Sequence, residues 1–65
     1  MTEEEALQES FRIFQEPTLT VESGMHLIAL EPHISGDKFG HLWEAFIVAA
    51  PIEVVIEVSE RLDQE

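Results

Sequence analysis

The strongest periodicity along the chain lies between Ser35 and Ala50. There Phe39, Leu42, Trp43, Phe46, Ile47 and Ala50 recur at the i, i+3, i+4, i+7, i+8, i+11 spacing of one helical face. Ser35 or Asp37 is placed to cap that helix. Only Gly40, His41, Glu44 and Val48 fall on the remaining surface, so a helix this apolar is expected to be covered on more than one side. A second amphipathic stretch opens the chain. Leu7, Phe11 and Phe14 follow i, i+4, i+7 beside Ala6 and Ile13, while Gln8, Glu9, Arg12 and Gln15 point away. Thr2 followed three residues later by Glu5 has the form of a capping box, and Glu3 and Glu4 place negative charge at the positive end of the helix dipole.

Pro17, Pro32 and Pro51 divide the remainder into pieces of helical length. Pro51 suits a first helical position. After it, Glu53, Glu57, Glu60 and Arg61 share one arc of a helical wheel, and Ile52, Val54, Val55, Ile56, Val58 and Leu62 fill the opposite one. The alternation of β-branched residues from Ile52 to Val58 also fits a strand; the good helix formers from Ser59 to Gln64 favour the helix. Between Leu19 and Glu31, Thr20 can cap a helix with Val21, Met25 and Ile28 on one side and Leu27 and Leu30 on another. The same stretch could instead form a hairpin turning at Ser23-Gly24. The expected fold is therefore all-α, with helices near 2–15, 20–31, 36–49 and 51–64 in a small orthogonal bundle that oligomerises. The alternative is an α+β fold with a hairpin over 18–31 and a C-terminal strand over 52–58.

Composition narrows what such a bundle can do. The 65 residues are expected to form a single domain, and they carry 14 acidic against 3 basic side chains, a formal net charge of −11. A hydrophobic content of 45% is too high for a disordered acidic tail. Arg12, Lys38 and Arg61 are far apart and surrounded by carboxylates, which argues against gripping a nucleic-acid backbone or an anionic membrane. The acidic start is unlike a signal peptide, and the longest uncharged apolar run, Ala45 to Ile52, is too short to span a bilayer. A soluble cytoplasmic protein is expected. With no cysteine, disulfides and thiolate metal sites are excluded.

Candidate chemistry is sparse. His33, Asp37 and His41 sit at i, i+4, i+8, with His26 upstream and Glu44 beyond. On one unbroken helix these could meet a zinc ion, but Pro32 and Ser35-Gly36 interrupt the run. No metal site and no cofactor are expected. None of the seven Ser and Thr hydroxyls lies in a nucleophile elbow. Ser35 to Gly40 lacks the length and ending of a phosphate-binding loop, and so small a chain has little volume to enclose a pocket. Catalysis is not expected.

What remains is protein contact. Trp43 is either core or an interface anchor. The carboxylates are either a solubilising surface, including one adapted to salt, or a charge presented to a basic partner. The expected function is a non-enzymatic acidic module docking on a basic protein surface, of inhibitor, immunity or nucleic-acid-mimic character. Trp43, Glu44, Val48, Glu53, Glu57 and Glu60 are the candidate contact residues. The alternative is a structural subunit acting through homo-oligomerisation, burying Trp43, Val48 and the valines of the last segment.

Overall fold

The computed structural model describes residues 1–64. Among them the chain is all-α: α1 (Glu3–Phe14), α2 (Val21–Ala29), α3 (Gly36–Ala49) and α4 (Ile52–Asp63), with one 3-10 turn (Glu31–His33) between α2 and α3. Neither a hairpin over 18–31 nor a strand over 52–58 forms. The competition is decided by spacing. Val54, Val55 and Val58 turn inward at helical intervals while Ile52 and Ile56 stay in solvent, a division a strand of period two would not make.

Local sequence sets the helix starts. Thr2 and Glu5 form the expected capping box, with Glu5 N–H donating to Thr2 Oγ1 at 3.2 Å and Thr2 N–H donating to Glu5 Oε1 at 3.0 Å. Thr20 caps α2 in the same reciprocal way, with Ser23 taking the role usually held by Glu or Gln. Ser35 stands at the cap of α3, but its side chain makes no capping hydrogen bond. A distant residue intervenes: Glu3 Oε2 accepts from the Ser35 N–H at 2.8 Å, and Glu3 Oε1 accepts from Lys38 Nζ at 2.8 Å. One carboxylate thereby fastens the first turn of α1 to the first turn of α3.

Helix α2 is the centre of the packing. It lies against α4 most extensively and also against α1. Its Gly24 marks the closest approach: a Cβ there would stand 2.7 Å from Val58 Cγ2 and 2.9 Å from Phe46 Cζ. The core is small. Ala6, Leu27, Phe46 and Val58 are wholly buried, ringed by Ile13, Leu19, Leu30, Ile34 and Ala50. Trp43 stacks between Phe39 and Phe46, with ring centroids 6.4 and 5.3 Å away.

Two expected faces are turned. In α1 the buried stripe is Ala6, Ser10 and Ile13, with Leu7 and Phe14 half-buried and Phe11 55% exposed. Small side chains at 6 and 10 let the backbone approach its neighbours, and the Ser10 hydroxyl donates locally to the Leu7 carbonyl at 2.6 Å, so its burial leaves no polar group unpaired. Helix α3, expected to be covered on more than one side, is covered on one: Phe46 is its only buried residue, and Ala45, Ile47, Val48 and Ala49 are exposed. The chain is flattened, spanning 30 × 28 × 17 Å. Its surface of 4441 Å² exceeds the roughly 4,200 Å² usual for this mass. A flat bundle has no element left to cover the far side of α3.

The Glu3 link has a pH signature. The Lys38 ammonium, then the Ser35 N–H, hold the Glu3 carboxyl below its ordinary value of 4.5, and the Thr2 backbone N–H and hydroxyl do the same for Glu5. A lowered carboxyl contributes stability that is complete above the ordinary value and lost as pH falls through the folded one. The contribution of these two carboxyls is therefore expected to decline below about pH 4.5. Glu3→Gln should make the acid limb shallower in a thermal-melt series taken against pH. A variant whose limb keeps the wild-type slope would show that the link adds nothing.

Candidate interaction surface

The corner where α3 gives way to α4 is turned at Ala50-Pro51, and the apolar residues flanking it are not covered. Val48 is 86% exposed, Ile52 73%, Ile56 52% and Ile47 44%. Val48 lies opposite Phe46 on α3 and shares the outward face with Glu44, one turn earlier. On α4, Ile52 and Ile56 lie side by side opposite Val54 and Val58, and Glu60, Glu53 and Glu57 follow around one flank, all exposed. Together the four apolar residues hold about two and a half side chains' worth of surface in water, whose burial would be worth on the order of 4–7 kcal/mol.

Of the residues singled out by sequence, Glu44, Val48, Glu53, Glu57 and Glu60 all lie on this exterior. Trp43 does not point outward with them. It is half-buried in the aromatic stack and borders a small hollow with Ile28, Phe39 and Leu62. The inward turn of Val54, Val55 and Val58 likewise leaves Ile52 and Ile56 as the free apolar residues of α4. Sequence reasoning placed those two isoleucines with the valines. The arc they share with Ser59 and Asp63 is the available signal that they belong outside.

Adjoining the glutamate flank of α4 an open groove of about 620 Å³ runs between α4 and the start of α2, lined by Leu19, Thr20, Val21, Glu53, Val54 and Arg61 among others. The chain thus forms a larger hollow than its length suggested, but an open one. No histidine is among its lining residues; its hydroxyls are those of Thr18 and Thr20, the latter engaged with Ser23, and Glu22 and Glu53 add carboxylates. His26, His33 and His41 are exposed, and no three His, Asp or Glu among the described residues are grouped to hold a metal ion. His26 Nε2 lies 3.9 Å from Glu9 Oε2, and Glu9 is paired to Arg12 at 3.2 Å. No helix of the described residues is long and apolar enough to cross a membrane.

The charge balance reaches every part of this surface. Arg12 and Lys38 are each paired with a carboxylate, and Arg61 has no ion-pair partner among the described residues. Eleven excess negative charges repel one another across a small body, and a few exposed pairs offset little of that. Added salt should therefore stabilise the fold: the thermal midpoint is expected to rise between about 0.05 M and about 0.5 M NaCl as screening shortens the repulsion. A midpoint that falls would mean the ion pairs outweigh the net charge. Compared with known protein families, curated proteins and solved structures, the chain has no match.

Proposed function

We propose that this chain is a non-enzymatic, cytoplasmic interaction module that docks on a basic surface of another protein, as an inhibitor, an immunity protein or a nucleic-acid mimic does. The observation that carries this reading is the coincidence of uncovered apolar residues at the α3–α4 corner with exposed Glu44, Glu53, Glu57 and Glu60 on the same two helices. Apolar contact supplies affinity at the centre of such an interface, and complementary charge supplies fast, salt-sensitive encounter. Direct contact with nucleic acid is disfavoured because two of the three cations are already paired and none are grouped.

A second reading is favoured by the uncovered apolar residues alone: an assembly subunit in which copies of the chain bury Val48 and Ile52 against each other. The two respond oppositely to charge. Affinity capture with a tagged chain should recover a basic protein at low salt, and the triple substitution Glu53→Gln, Glu57→Gln, Glu60→Gln should release it. If the triple variant instead self-associates more tightly and captures nothing less, the assembly reading replaces the first.

A further inference from the structure

Resting on the reading just proposed, we propose that the α3–α4 corner is itself the docking element, and that its occupant is an apolar groove on a partner protein rimmed by lysine and arginine. Val48, Ile52 and Ile56 recur every four residues across the Ala50-Pro51 corner, and their exposures of 86, 73 and 52% mark them as protruding rather than recessed. Ile52 and Ile56, one turn apart on α4, and Val48 across the extended Ala50-Pro51 corner are exposed apolar anchors of the kind a concave partner receives. The rim selects the partner's charge. Glu60, Glu53 and Glu57 run along one flank of the isoleucines, and Glu44 stands one turn before Val48. Cations near this exterior are outnumbered: Lys38 is held by Glu3 at the start of α3, and Arg61, at the groove that Glu53 also lines, stands alone against four glutamates.

That distribution weighs against a second copy as the occupant. Two corners packed about a twofold axis would set each copy's four glutamates against the other's, and like charges across an interface are strongly unfavourable. The apolar centre is also short of the roughly 800 Å² per partner that a stable complex buries, so the acidic rim must join the contact. Only a basic rim opposite lets it do so.

The test places a photoreactive benzophenone side chain at Ile52 at the corner, at Val21 in the α2–α4 groove, and at Gln8 on the exposed side of α1, each in the full chain in its source cell. The expected result is an adduct from position 52 alone, formed at low salt and lost at high salt, whose cross-linked peptide maps to an apolar stretch flanked by Lys and Arg. With the purified partner, the double substitution Ile52→Ser, Ile56→Ser should weaken binding by about a hundredfold or more while the helical circular-dichroism signal is retained, because both side chains are already in water in the free protein. An adduct with a second copy of the chain would overturn the proposal, as would an adduct from position 52 that maps to a neutral or acidic surface. Adducts from Val21 or Gln8 alone, to a basic protein, would overturn the corner as docking element and leave the interaction reading standing. No adduct at any position would remove both.

Discussion

Phe46→Ala is expected to leave the chain largely unfolded at room temperature. Phe46 is wholly buried, stacks on Trp43, and lies where α3 meets Gly24 of α2. Removing a buried phenylalanine costs about 3–5 kcal/mol, and a single small core without disulfide or metal rarely supplies more than about 3–5 kcal/mol in all. The margin is thus of the same size as the loss. Trp43, the chain's single tryptophan, reports the result: its emission should shift to the red as the far-ultraviolet helical signal falls. Phe11→Ala is the matched control. That ring is 55% exposed, and its removal should change stability by no more than about 0.5 kcal/mol. A Phe46→Ala protein that melts cooperatively within a few degrees of wild type would show that the core does not centre on this ring.

The second large effect has the opposite sign from helix propensity. Ala in place of Gly24 should favour a helix interior by about 1 kcal/mol, yet Gly24→Ala is expected to destabilise. Its new Cβ would meet Val58 Cγ2 at 2.7 Å and the Phe46 ring at 2.9 Å. Val58 is β-branched and held to one rotamer in a helix, and both neighbours are wholly buried, so neither can easily move aside. Overpacking of this kind costs about 1–3 kcal/mol. Set against the propensity gain, the net loss is up to about 2 kcal/mol, which lowers the thermal midpoint by up to roughly 16 °C in a domain this small. The clash makes a further demand: Val58→Ala, harmful alone because it leaves a cavity, should be less harmful in the Gly24→Ala background. If the two losses simply add, the close approach of α2 to α4 is not what Gly24 serves.

These two residues show where sequence is informative and where it is not. The helix starts were legible because capping is local: Thr2 with Glu5 and Thr20 with Ser23 act within four residues, while Pro51, expected as the first helical residue, stands one position earlier as the cap residue of α4. Helix limits accordingly agree to within one or two residues. Gly24 was not legible, since a glycine beside a serine serves a turn as well as a close helix approach, and only the position of Val58 decides. The phase of α1 was missed for a related reason. Periodicity gives an apolar stripe but not its centre, and the large Phe11 drew the stripe one position away from small, buried Ser10. Ser35 was legible as the cap position of α3, but not the Glu3 carboxylate that accepts from its N–H from 32 residues away.

The candidate surface was legible in part. The acids and Val48 were placed on the exterior by their position on the wheel, and they lie there. Trp43 is half-buried in an aromatic stack, on a different side of α3 from Val48. Ile52 and Ile56 were grouped with the inward valines because an apolar arc on one helix does not reveal how many neighbours the fold provides. A flat bundle provides too few, and that shortage leaves the corner uncovered.

The most direct measurement is the affinity of the purified chain for its captured partner, titrated by calorimetry at about 0.05 M and about 0.5 M NaCl. A one-to-one complex whose dissociation constant rises by more than about tenfold across that range is expected of an acidic corner seated on a basic groove. A dissociation constant unchanged by salt, or a chain that binds only itself, would contradict it.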